Sequence, residues 1–259
     1  MDKGVTMEIL LTNDDGFFAP GLQTLFEVMV KSPEDTVSIV APDSQRSASG
    51  HSITLFDPLF VTEHPLSGSG YGYAVRGTPS DCVKLAVEGG IVPKPDLVIS
   101  GINQGPNLGT DIFYSGTVAA AMEGVLAGIP AIAASLASFD FTDFEPAARW
   151  LAKHVTNITA RFSTGLLNVN FPGSPGDEWK GVRVTRLGRA VYENVFESRL
   201  DPHGRRYFWQ GGTLIPETDP DTDVAAIHAG YVTVTPMHSD LTDYKKLEEW
   251  QGRGAGTFE

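Results

Sequence analysis

Apolar residues in this chain follow two patterns. The first is the short continuous run bounded by turn residues. Glu8–Leu11, Val37–Ala41, Asp96–Ser100 and Ile129–Ser135 are of this kind. Each predicts a strand buried on both faces, as in a parallel sheet. The second is helical spacing. Gly21–Val30 places Leu22, Leu25, Phe26 and Met29 on one face, and Asp81–Glu88, Thr117–Ala127 (stopped by Gly128) and Phe144–Ala160 read as further helices. Ile53–Val61 and Tyr71–Arg76 read as strands flanking a turn-rich link, His64–Gly70. Strand and helix alternate with short loops. That order predicts an α/β fold: a doubly wound, mostly parallel, three-layer sheet of Rossmann-like type.

The pattern changes after Leu166. Leu167–Phe171 and Val182–Leu187 read as strands. Residues 191–215 read as a long extended hairpin turning at Asp201-Pro-His-Gly204, with Tyr207, Phe208 and Trp209 beside the turn. Aromatics on a protruding hairpin mark a subunit contact or cover a satellite core; the contact is the reading preferred here. Asp219–Gly230 is acidic and partly helical, Tyr231–Pro236 is a last strand, and Thr242–Trp250 a last helix. The expected organisation is one domain over 1–259. Its core covers about 7–190 and 228–240, an arm about 191–216, and a C-terminal helix and tail 241–259. Residues 1–6 are expected to fray, and 251–259 to be disordered or partner-dependent.

Composition narrows the function. With 259 residues, 41% hydrophobic, the chain can fill a large core. Its single cysteine, Cys82, forms no disulfide within the chain and reads as a core residue. A formal charge of −13, with no large basic cluster, disfavours binding to a nucleic-acid duplex. No apolar run approaches a membrane span and residues 1–7 carry no apolar signal segment, so a cytoplasmic protein that does not enter membranes is the expectation.

The candidate chemistry lies at the C-terminal ends of the predicted core strands, where parallel sheets open their ligand crevice. The first strand ends in Thr12-Asn13-Asp14-Asp15-Gly16. Two adjacent carboxylates at a buried strand end repel each other and call for a divalent cation. The same tetrapeptide is also good turn chemistry. A second loop carries Asp43 to Ser47, and a third runs through Asn103 and Asn107. Together they offer hard oxygen donors suited to Mg²⁺, Mn²⁺ or Ca²⁺; no Cys/His spacing suits zinc. Ser115-Gly116-Thr117 then opens a helix, which is either a simple N-cap or an anion site for phosphate beside the metal. Gly68-Ser-Gly-Tyr-Gly72 opens no helix and is not a dinucleotide fingerprint. Asn157-Ile-Thr159 fits a glycosylation pattern but falls in a helix. His51, His64, His154, His203 and His228 read as structural, whereas His238, ending the last strand, is an acid/base candidate if it reaches the same edge.

Taken in order, these motifs resemble the SurE family of metal-dependent nucleotidases. The resemblance is carried by Ile9-Leu-Leu-Thr-Asn-Asp-Asp-Gly16, Val40-Ala-Pro-Asp43 with Gln45-Arg-Ser47, Gly77-Thr-Pro-Ser-Asp-Cys-Val83, Pro95 to Gly109, and Tyr114 to Gly124. It is dense over 8–135 and looser beyond. It implies a phosphomonoesterase acting on nucleoside 5′-monophosphates, with 3′-monophosphates and short polyphosphate as further substrates. It implies one divalent cation per subunit, Mg²⁺ or Mn²⁺, held by Asp14, Asp15, Ser47 and Asn103, with Asp14 and Asp15 also catalytic. Asn107, Ser115, Gly116 and Thr117 map onto the phosphate pocket, and the hairpin and C-terminal segment onto a homodimer or homotetramer contact. Ser44 stands where a basic residue is frequent in the family, which bears on substrate preference. Two rivals differ in class. A signalling receiver domain also pairs acids after its first strand, but needs an acceptor Asp where this chain has Ser100-Gly101. A nucleotide-binding sensor without turnover would share the pocket and fail to hydrolyse its ligand.

Overall fold

The protein is described from a computed structural model, over residues 6–32, 35–67 and 71–252. The frayed extension expected at 1–6 (except Thr6), the glycines Gly68 and Gly70, and 253–259 of the tail lie outside the described residues. The elements, in order, are β1 (Glu8–Thr12), α1 (Pro20–Met29), β2 (Thr36–Pro42), β3 (Phe60–Pro65), β4 (Tyr71–Arg76), α2 (Pro79–Glu88), β5 (Leu97–Gln104), α3 (Gly116–Leu126), β6 (Ala131–Ala137), α4 (Glu145–Arg161), β7 (Leu166–Pro172), β8 (Val182–Val184), β9 (Tyr192–Glu193), β10 (Phe196–Leu200), β11 (Arg206–Gln210), β12 (Thr213–Leu214), α5 (Asp223–His228), β13 (Val232–Met237) and α6 (Tyr244–Gly252).

The central sheet has the order β3-β4-β2-β1-β5-β6-β7-β13-β8. The neighbours from β4 through β7 pair in parallel; β3 pairs antiparallel with β4, and β13 with β7. This is the expected doubly wound α/β sheet. Alternation sorts each strand's residues onto two faces. On one face Ile9, Leu11, Ile99, Ile132 and Phe171 pack against α1 and α4. On the other, Leu10, Val40, Val98 and Ala133 pack against α2 and α3. Helix α3 is lined by Ala119, Ala120, Ala121 and Gly124 on its buried side, so it lies close on β5: a methyl group on Gly124 would fall 2.8 Å from Val98 Cγ2. Helix α2 starts earlier than expected, at Pro79, because Thr78 and Asp81 form a capping box.

Three local expectations are corrected. The strand expected at Ile53–Val61 lies instead at Phe60–Pro65. The backbone of 52–54 is held by side chains rather than a strand partner: the Thr54 N–H donates to Asp81 Oδ1 at 2.9 Å, and Thr78 Oγ1 donates to the Ser52 carbonyl at 2.7 Å. Ile53, Leu55 and Phe56 are exposed, so the apolar run there is not core. The loop expected to start at Gly101 begins later, because β5 continues to Gln104 through a register shift between Ser100 and Asn103. Val182–Leu187 yields only the three-residue β8. The hairpin arm forms as expected, with its turn at Asp201–Gly204. Strands β10 and β11 pair from Phe196↔Gln210 to Leu200↔Arg206, and β9 pairs β12 below them. All ten residues of β10 and β11 are exposed, so Phe208 and Trp209 cover no satellite core.

Candidate active site

The chain crosses from one side of the sheet to the other between β1 and β5. Helix α1 follows β1 on one face, and α3 follows β5 on the opposite face. The loops after adjacent strands therefore diverge and leave a crevice at their C-terminal ends. Asp14 and Asp15 stand at its floor. Asn13 folds the turn on itself, with Nδ2 donating to the Gly16 carbonyl at 2.9 Å and Oδ1 accepting from Gly16 N–H at 3.1 Å. Gly16 takes φ +106°, and a methyl group there would press on the Ser44 backbone at 3.2 Å. The loop after β2 can thus lie directly on the turn, tied by Arg46 N–H to the Asp14 carbonyl at 2.7 Å. Ser47 follows on that loop, exposed, with its Oγ accepting from Gln45 Nε2 at 2.9 Å.

Asp14 is 5% exposed, and the Thr117 hydroxyl donates to its Oδ1 in a short hydrogen bond. Burial pushes its pKa up to about 6, helped by the charge of Asp15 and opposed by the Thr117 hydroxyl. Burial also raises Asp15, opposed by the Gln104 N–H that donates to Oδ2 at 3.1 Å. The backbone N–H groups of Thr117 and of Asp14 itself also act on the Asp14 carboxylate. Among the described residues, no basic side chain acts on either acid. Asn103 donates Nδ2 to the Gly105 carbonyl at 2.9 Å, which leaves Oδ1 as an acceptor beside them. The buried Ser49 hydroxyl has no protein partner, and it lies 2.9 Å from where a Gly116 methyl group would sit. Two desolvated carboxylates, a free amide oxygen and nearby hydroxyls fit a hard divalent cation.

The N-terminus of α3 closes the crevice. Ser115 is its N-cap, with Oγ accepting from Val118 N–H at 3.1 Å. The simple capping role is therefore real, but it leaves the N–H groups of Gly116 and Thr117 without an intrahelical partner. A methyl group on Gly116 would lie 2.7 Å from Asp14 Cβ. Only glycine lets the helix end approach the carboxylate this closely. Helix N-terminus and acid pair thus share one crevice, which suits a phosphate bridging helix and cation.

Asn107 is buried in a polar network absent from the sequence reading. Its N–H donates to Asn170 Oδ1 at 2.9 Å and its Nδ2 to Ser135 Oγ at 2.8 Å. Its carbonyl accepts from Asn168 Nδ2 at 2.8 Å and from Asn170 Nδ2 at 3.0 Å. The signal was present: Leu167-Asn-Val-Asn-Phe171 alternates amides into an apolar strand, and buried amides demand partners. Asp223 was also missed. It accepts from the N–H groups of Gly109 at 2.9 Å, Gly188 at 2.8 Å and Val224 at 2.8 Å, holding the end of the Asn107 loop.

His238 does not belong to this site. Strand β13 runs antiparallel to β7, pairing Met237 with Leu166 at the start of β7, so His238 emerges at the opposite edge of the sheet. It lines a separate groove of about 470 Å³ along the outer side of α3, with Met122 and Leu126. Of the other histidines, His51 bonds Glu123 at 2.8 Å, His64 stacks near Phe17 and Phe18, and His154 stacks on Trp150.

Comparison with known proteins agrees with this architecture. The model of the family described as "Survival protein SurE" matches residues 9–194. A "5'-nucleotidase SurE" of Desulfitobacterium hafniense is 65% identical over 243 residues, covering 94% of this chain and 95% of that one. A protein of the same description from Pelotomaculum thermopropionicum is 51% identical, with 93% of each chain covered. The crystal structure of the SurE protein from Aquifex aeolicus superposes with a TM-score of 0.82 at 39% identity, covering 95% of this chain and 99% of that one. The chain belongs to the SurE survival-protein family.

Proposed function

We propose that this chain is a metal-dependent 5′-nucleotidase, a phosphoric monoester hydrolase that releases phosphate from nucleoside monophosphates. The observation that carries the reading is the pair Asp14–Asp15, desolvated, without a basic partner, and set against the N-terminus of α3. We assign one Mg²⁺ or Mn²⁺ per subunit to Asp14, Asp15, Ser47 and Asn103. When bound, such a cation supplies positive charge to a phosphoryl group and lowers the pKa of water.

The chain's own groups do the rest. Thr117 and Gln104 fix the two carboxylates through one oxygen each. The Gly116 N–H faces charge on the phosphoryl oxygens, which is where preorganised donors act most strongly, while the Thr117 N–H also acts on the Asp14 carboxylate. Asn107, immobilised by Ser135, Asn168 and Asn170, presents its remaining Oδ1 on the same loop cluster. The free oxygen of Asp14 or Asp15 orients the attacking water or attacks directly. Activity on 3′-monophosphates and short polyphosphate belongs to the same reading, because the crevice recognises phosphate first.

We further assign the whole chain to one domain, and its assembly into a homodimer or homotetramer to the exposed β9–β12 arm and the C-terminal segment. Among the described residues no helix is long and apolar enough to cross a membrane. Calorimetric titration with Mn²⁺ tests the ligand set. Asp15→Asn and Asn103→Ala should each weaken binding by tenfold or more, roughly what loss of a metal-site contact costs. Unchanged affinity in both variants would remove the site from this crevice.

A further inference from the structure

We infer that Phe139 is the stacking shelf for the nucleobase of the substrate, and so a specificity-determining residue. The inference rests on the nucleotidase reading and extends it from phosphate to base. Phe139 follows β6, next to β5, at the C-terminal edge where the acid pair lies. Its ring is 76% exposed. Exposed phenylalanines usually sit on loose segments or in subunit contacts, but the turn beneath this one is firmly built.

Ser138 Oγ accepts from the N–H groups of Asp140 at 3.2 Å and Phe141 at 2.9 Å. Gln104 Nε2 donates to the Ser138 carbonyl at 2.5 Å and the Phe141 carbonyl at 3.1 Å. The same residue donates its backbone N–H to Asp15. One residue therefore ties the aromatic turn to an acid of the crevice. The ring also lies flush on backbone. A methyl group on Gly105 would fall 2.5 Å from Cε1 and 2.9 Å from Cζ of Phe139. Gly105 is in turn the residue whose carbonyl holds the Asn103 amide. One side of the ring thus lies close on the Gly105 backbone, and most of the residue is open to solvent.

Of the other exposed rings, Tyr114, 69% exposed, stands beside the Ser115 cap of α3 rather than on the turn tied to Asp15. Phe18 packs against Phe17 and His64 at 5.0 Å each, and Phe113 lines the groove along α3. An apolar ring left in water on a firmly built turn gains nothing for folding, but suits a planar ligand. A base stacks on any aromatic face, and rigidity spares the ordering cost. Adjacent strands stand about 5 Å apart, so the turn after β6 lies one strand over from the end of β5 beside the acid pair.

The test compares kcat/KM for adenosine monophosphate with kcat/KM for glycerol 2-phosphate, which has no base, in the metal-loaded enzyme. Stacking on an aromatic predicts that Phe139→Ala lowers the ratio of the two by about tenfold, through KM for the nucleotide, and that Phe139→Trp restores it. Inhibition by adenosine should weaken in parallel, and inhibition by inorganic phosphate should not. Phe56→Ala, removing a ring 97% exposed on the 53–59 segment, should leave the ratio unchanged. An unchanged ratio in Phe139→Ala would overturn the shelf while leaving the nucleotidase reading intact. So would an equal loss on both substrates. Absence of phosphate release from either substrate by the unsubstituted protein would overturn both.

Discussion

Asp14 shows how one residue trades stability for chemistry. Its folded pKa, about 6, lies above the ordinary value of 3.8, so the folded state holds its proton longer than the unfolded chain does. Below about pH 4 the acid is protonated in both states and costs nothing. As pH rises through 6 the folded protein must ionise it in a dry site, and the penalty grows to about 3 kcal/mol. The metal-free protein should therefore lose stability between pH 4 and 6, as thermal melts across that range will report. Asp14→Asn should flatten that dependence and raise the neutral-pH melting temperature, while cutting turnover by orders of magnitude. A variant with normal turnover, or one that unfolds, would contradict the role given to Asp14. Mn²⁺ competes with the same proton, so its affinity should rise with pH up to about 6 and then level.

Among the elements, α3 does most to build the site, through its glycine and its cap. Gly116→Ala would drive a methyl group into Asp14 and Ser49. It should reduce activity at least tenfold with the fold retained, read by assay and circular dichroism together. Asp223 plays the corresponding part at the far side of the crevice. Asp223→Ala would strand three buried N–H groups, at a cost of roughly 3 kcal/mol or more in denaturant titration. What the sequence made legible follows the same lines. The core strands were readable because a strand covered on both faces is apolar throughout, and the acid pair and Ser115–Thr117 were readable because each stands at the junction of an apolar run and a turn. Three features were not. Ile53, Leu55 and Phe56 are apolar yet exposed, on a segment held by Asp81 and Thr78 from another element. His238 depends on the direction of β13, which local pattern does not encode. The Asn107 network joins residues some sixty positions apart, and only the alternation in β7 hinted at it.

At the scale of the whole molecule, the sheet gathers loops from β1, β2, β5 and β6 at one edge, and the arm β9–β12 forms two small sheets of its own outside it. Phe208 and Trp209, 59% and 60% exposed, point to opposite faces of that two-stranded arm, with no core beneath either. Sedimentation velocity should find a dimer or tetramer, and Phe208→Asp with Trp209→Asp should shift it to a smaller species; a monomeric unsubstituted protein would contradict the assignment. The central claim is that the crevice hydrolyses phosphate esters with the help of a divalent cation. Its most direct test is phosphate release from a panel of nucleoside monophosphates with Mg²⁺, with Mn²⁺ and with chelator. Release should require the metal and stop with chelator. Folded protein that binds nucleotide but releases no phosphate with either metal would contradict it, and would make this a nucleotide sensor instead.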